Sequence, residues 1–266
     1  MKLTEHLLLA LPASGNYPGV VDYAIQLTQK LSAKITVALI YTCNEELVGQ
    51  VAQNQKAFEA QKKEAKEQFQ QLRARFQQMS LDYRLVSIDG PFSNAVVVAS
   101  HSYHPDVIIT VPDRQIALNQ LIWQVPNHLL LVPSNYHYCP IRLVALAHNP
   151  KAFPNPQLID FISQFVKNNQ ATLEVIEFGQ ECLIESPFSL RANAELDYLF
   201  RNTAHRFYLE ECQNELAGCI SRYIHDHKVD VVMISSRSSR YFNSEDQNQP
   251  IVDTVLQCDI PIMILK

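Results

Sequence analysis

The side chains able to do chemistry are present, but they do not gather into a motif. Nine histidines invite a metal or acid–base reading. His101 and His104 stand at i,i+3, and His225 and His227 flank Asp226. A helix-borne metal site needs an i,i+4 pair or converging carboxylates, so these histidines are expected to complement helix C-termini instead. Ser235, Ser236, Ser238 and Ser239 would suit a nucleophile or a phosphorylation site. No G-x-S-x-G elbow surrounds them, and no His or acid is assignable as partner, so a polar loop is expected. Cys43, Cys139, Cys182, Cys212, Cys219 and Cys258 include no CxxC pair. That predicts reduced thiols in a cytosol, and neither a disulfide framework nor zinc. Cys212 and Cys219 stand close enough in sequence to face one another, but buried free thiols are the expected outcome. Trp123, the single tryptophan, is expected to be a packing residue.

Glycine supplies the sharpest compositional signal: 6 residues in 266, where average usage would give about 19. Any glycine-rich phosphate loop is therefore disfavoured at the outset. Charge excludes other classes. Residues 1–138 carry 11 basic and 11 acidic side chains and residues 139–266 carry 11 and 16, so no basic stripe marks a nucleic-acid binder or an anionic-membrane binder. At 47% hydrophobic and 18% charged the chain can bury a core and does not look disordered. No window approaches the 18 or so apolar residues of a membrane span. The apolar run Leu7–Leu11 is too short for a signal peptide and reads as a strand.

These residues must be positioned by elements whose order repeats. Residues 6–12 form a doubly buried strand. Pro18 opens a helix with Val20, Ala24, Leu27 and Leu31 on one face, and residues 34–41 form a β-branched strand. The unit is a parallel crossover. Residues 44–79 predict one long helix with Phe58, Ala65, Phe69, Leu72, Phe76 and Met79 on a shared face, laid on a sheet rather than coiled around a partner. Strand 81–88, helix 93–104, strand 107–111, a helix within 114–124 and strand 128–132 complete the half. The second half predicts strand 141–147, helix 156–167, strand 171–178, helix 189–202, strand 205–210, helix 214–227, strand 231–234 and strand 260–265. His-Pro-Asp106-Val-Ile-Ile-Thr matches Lys-Val-Asp230-Val-Val-Met-Ile: a polar helix end, an Asp, then a buried strand. Two α/β domains follow, 1–137 and 138–266, each doubly wound with a parallel sheet and helices on both faces.

This order, and the ending Val255-Leu-Gln-Cys-Asp-Ile-Pro261-Ile-Met-Ile-Leu, is similar to a tandem universal stress protein over nearly the whole chain. The resemblance implies an α/β fold of two tandem five-stranded parallel sheets, adenine nucleotide alpha hydrolase-like, with strand order 3-2-1-4-5. Nucleotide-binding members of that family carry a phosphate loop after strand four: glycine, two residues, glycine, nine residues, then glycine and Ser/Thr. Laid on the second half, the glycine positions are Ser235, Ser238 and Asn248, and the Ser/Thr position is Gln249. The length is kept and every glycine is gone. A Cβ crowds the backbone that would cradle an anion, although Arg237 and Arg240 remain to meet one, with His148 and Asn149 beside them. In the first half Asp106 to Pro126 leaves no room for the loop, and Val111-Pro112-Asp113-Arg114 stands there, Pro112 lacking an N–H. The family's carboxylate after strand one is also missing: Pro12 takes its place, and Ala147 or His148 in the second half.

The resemblance thus implies a non-catalytic cytoplasmic protein of bacterial-type stress response or signalling, acting through protein contacts, with no cofactor. Its two halves would pack face to face as an intrachain pseudo-dimer, pairing through their fifth strands, and a homodimer of chains is compatible with this. The alternatives are ATP or small-anion binding by the second domain through residues 235–249, and a hydrolase of the wider superfamily.

Overall fold

The computed structural model describes residues 4–41, 51–112, 116–148, 156–179, 187–212, 216–235 and 249–266. The first half runs β1 (His6–Pro12), α1 (Pro18–Leu31), β2 (Lys34–Tyr41), α2 (Val51–Gln78), β3 (Tyr83–Asp89), α3 (Phe92–Tyr103), β4 (Val107–Thr110), α4 (Leu118–Gln124) and β5 (His128–Leu131). The second runs β6 (Leu143–His148), α5 (Pro156–Asn169), β7 (Thr172–Gly179), α6 (Pro187–Phe200), β8 (His205–Glu211), α7 (Leu216–His227), β9 (Val231–Ser235), α8 (Gln249–Gln257) and β10 (Ile262–Leu265). Pro18 occupies the first turn of α1, where its missing N–H costs nothing.

All ten strands join one sheet in the order β3-β2-β1-β4-β5-β10-β9-β6-β7-β8. Each half therefore has the order 3-2-1-4-5 with parallel neighbours. The halves meet through β5 and β10, the one antiparallel pair, with Leu130 opposite Met263. This corrects the face-to-face expectation: the halves join edge to edge, as the fifth-strand pairing requires. Apart from His128 both strands are apolar and buried, and the pairing removes two sheet edges that would otherwise stand open. Helices follow the same two-fold relation, α1 packing on α5 and α4 on α8. β1 is buried along almost its whole length, whereas the outer strand β3 has no fully buried residue and mixes half-buried with exposed ones.

The internal repeat extends to single hydrogen bonds. Asp106 Oδ2 accepts the backbone N–H of Glu5 and His6, at 2.7 and 2.9 Å. Asp230 Oδ2 accepts those of Arg142 and Leu143 at the same two distances. In each half the Asp that precedes strand four clamps the entry of strand one. Helix ends repeat as well. Ser32 and Gln170 follow α1 and α5 in the left-handed conformation, and His104 and Lys228 do so after α3 and α7. Glycine usually fills that position, so this chain reaches the helix stops without it.

Three expectations need correction. Trp123 is 58% exposed on α4 and is not a packing residue. Met79 is exposed beyond the end of α2, while Leu72 and Phe76 are buried, because the chain turns at Ser80 before Met79 can face the sheet. Cys212 and Cys219 form a disulfide with Cα atoms 5.8 Å apart. Cys212 directly follows β8 and Cys219 lies in the first turn of α7, so the bond ties the strand end to the helix start. Cys139 is free and exposed, and Cys258 is free and buried, its thiol pushed up to about 12 by burial and by Asp259.

Candidate functional site at the switch points

In an open α/β sheet a ligand crevice forms where the carboxyl ends of two adjacent strands send their connections to opposite sides. Here those points lie between β1 and β4 and between β6 and β9. In the second half Ala147 pairs with Ile234, so His148 and Ser235 end neighbouring strands side by side. Ser235 is half-buried. Gln249 opens α8, the helix that follows β9. Arg237, Ser238, Arg240, Asn248 and Asn149 lie outside the described residues, so of the expected anion site the structure brings together His148 and Ser235. The connection from β9 to α8 covers 13 residues, 236–248.

The first half is built differently at the same place. Seven residues, 111–117, connect β4 to α4, and Pro112 is among them. Pro12 ends β1 in register with Ile40. The following turn is occupied by the chain itself: the Ala13 N–H donates to the Ile40 carbonyl at 2.8 Å, and Gln68 of α2 donates to the Gly15 carbonyl at 2.8 Å. The Tyr17 ring lies over Gly15 so closely that a Cβ there would stand 2.6 Å from its hydroxyl. Arg75 of α2 pairs with Asp22 of α1, drawing the two helices together over this turn. What remains is a cavity of about 260 Å³ beside Asn16, Gln68 and Gln71.

A larger space, about 940 Å³, lies on the opposite rim of the first half, against α5. Its lining includes Asp106, His128, Asp160, Phe161 and Lys266. The backbone N–H of Lys266 donates to His128 Nδ1 at 3.1 Å, and the Lys266 ammonium donates to the Ile122 carbonyl. Burial pushes His128 down to about 4 against a weaker opposite pull from Asp106, and pushes Lys266 down to about 8. Sequence reasoning did not single out His128 or Phe161. The available signal was positional, since β5 opens on a histidine where β10 is preceded by Pro261.

The histidines expected at helix ends are there: His104 is the left-handed residue after α3, and His225 and His227 lie in the last turn of α7. His227 stacks on Tyr223 with ring centroids 4.0 Å apart, and Tyr223 donates to the buried Glu174 at 2.7 Å. Burial, then the bond to Glu174, raises the Tyr223 hydroxyl far above its ordinary range. This is a closed packing cluster.

No family model and no curated protein matches the sequence. Solved structures do. A universal stress protein from Archaeoglobus fulgidus superposes with a TM-score of 0.71 at 10% identity, covering 98% of this chain and 96% of that one. A functionally unknown protein from Pseudomonas aeruginosa gives 0.67 at 10% identity, covering 100% and 94%. A further universal stress protein described from Pseudomonas aeruginosa gives 0.62 at 12% identity, covering 99% and 93%. The chain has the fold of the universal stress proteins along its whole length, both halves included.

Proposed function

We propose that this chain is a non-catalytic, tandem universal-stress-type protein that acts in stress response or signalling through protein contacts, its nucleotide sites degenerate in both halves. The observation that carries this reading is the first-half switch point. A seven-residue connection that includes Pro112, which lacks an N–H, and a turn already held by Gln68 and Tyr17 argue against a cradle of backbone N–H groups for a phosphate chain. The glycine-free segment after β9 supports the same reading for the second half. Titration calorimetry with ATP, ADP and cyclic dinucleotides tests it. The expected result is no saturable heat, and micromolar ATP affinity that disappears on Ser238→Glu would overturn it. Phosphate release with magnesium or manganese is expected to stay at the buffer rate.

A second reading has its own observation. His148 and Ser235 end adjacent strands at the second switch point, and the connection that follows is nearly twice as long as in the first half. Residues 235–249, with Arg237 and Arg240, would then take a nucleotide or another small anion. The same titration separates the readings.

A cytoplasmic home and a homodimer of chains belong to the proposal. No helix among the described residues is long and apolar enough to cross a membrane. The Cys212–Cys219 bond removes the cysteine argument for a reducing compartment. Labelling free thiols in protein from unbroken cells tests the compartment, and sedimentation tests the dimer, with a mass near the 30.3 kDa of one chain counting against it.

A further inference from the structure

Two grooves flank the β5–β10 seam, equivalent by the internal repeat and differently filled. On one side runs the chain's own linker. Tyr136 and Tyr138 meet the Tyr23 ring edge-on at 5.8 and 5.4 Å. The Tyr136 carbonyl lies so close to Gly19 that a Cβ there would be 2.0 Å from it. Cys139 Sγ donates to Asp230 Oδ1 at 3.7 Å. An aromatic ring on the first-turn side of a helix, a gap for the backbone and a carboxylate at the strand entry together hold an extended segment.

The other side carries the same three positions. Phe161 stands for Tyr23 and Gln157 for Gly19, since α5 repeats α1 residue for residue, and Asp106 stands for Asp230. These three line the 940 Å³ groove. Its floor is aromatic, with the His128 and Phe161 rings 4.0 Å apart. Among the described residues no segment runs through it. Asp106 uses Oδ2 to hold β1, and among those residues its second oxygen receives nothing that corresponds to the Cys139 thiol. Asp160, exposed on α5, adds a second carboxylate, while the Lys266 ammonium is turned to a carbonyl.

We propose that this groove binds an extended, tyrosine-bearing peptide segment of a partner protein, its ring placed as the linker's rings are placed across the pseudo-two-fold axis and its backbone held further out than the linker's. The ring would lie against Phe161 and His128, as Tyr136 and Tyr138 lie against Tyr23. A hydroxyl, thiol or ammonium group of the peptide would meet Asp106 and Asp160. Gln157, where the filled groove has glycine, keeps the peptide backbone further off and offers an amide to its carbonyls. The peptide mode is extended-chain recognition with an aromatic anchor. It gives the protein-contact reading a surface and rests on that reading for its use in the cell. The two fail separately, because nucleotide titration tests that reading and peptide titration tests this groove.

The probe is the chain's own linker: a fluorescent synthetic peptide of residues 133–140 carrying Cys139→Ser, titrated into the full-length protein. Saturable binding is expected, with Kd on the order of 10–100 μM. Replacing both peptide tyrosines by alanine should abolish it. Gln157→Trp, which fills the groove, and Asp160→Lys, which reverses its charge, should each weaken it at least about tenfold. Both positions are exposed on α5, and circular dichroism reports whether the fold is kept. The His128 ring resonances should shift on titration. The proposal is overturned by an absence of saturation up to about 1 mM, or by binding that both α5 variants leave unchanged, which would place the peptide elsewhere, including in the linker's own groove.

Discussion

At the residue scale the two strand-entry aspartates do a structural task that their position in the repeat already suggested. Each carboxylate takes two backbone N–H groups that begin a central strand, and bonds to a charged acceptor are among the stronger ones. Asp230→Ala is expected to lower stability by about 3 kcal/mol in urea denaturation, with Asp230→Asn milder because one acceptor oxygen survives. His128 has a pH signature. Its folded imidazole is pushed below 6.5 to about 4, so across that window the unfolded chain binds more protons than the folded one. Stability should therefore fall as pH drops from about 6.5 to about 4, by up to about 1.4 kcal/mol per unit, and should be flat from this source above 6.5. Urea midpoints measured across that range in the native protein and in His128→Asn check it, since the variant should lose that part of the slope.

At the element scale the helix stops carry the cost of low glycine content. Gln170 and Lys228 hold left-handed backbone that a Cβ disfavours. Gln170→Gly should raise stability by about 1 kcal/mol, seen as a higher thermal midpoint. The disulfide closes a short loop between β8 and α7, and Cys219→Ser should lower stability by about 2 kcal/mol under oxidising conditions, with no further loss on adding reductant. Elements of this kind were legible in sequence to differing degrees. β1, β2 and α5 announced themselves because burial on both faces gives continuous apolar runs and burial on one face gives a helical stripe. The Cys212–Cys219 bond was not readable, because seven residues of separation fix neither the end of the strand nor the first turn of the helix. Trp123 misled because an aromatic residue beside a core strand usually packs, and only the rotation of α4 shows it turned outward. Of the switch-point residues, Ser235 could be placed from loop spacing. The aromatic floor of the open groove could not, since Phe161 and His128 come from different halves and meet only across the seam.

At the scale of the whole molecule one antiparallel strand pair makes two α/β units into a single sheet. Leu129, Leu130, Leu131, Ile262, Met263 and Ile264 are buried along it. Met263→Asp would place a carboxylate there without a partner, and the cost should exceed about 3 kcal/mol. Calorimetry should show one transition for the native chain and two for this variant, since the halves would lose their common strand pair. The same antiparallel junction has a geometric result. Strands of the first half point one way across the sheet and those of the second half point the other, so the strand tips carrying His148 and Ser235 lie on the opposite rim of the molecule from those carrying Pro12 and Thr110. Two bodies held at the two rims would stand on opposite edges of the slab, with the length of the strands and the β5–β10 pair between them.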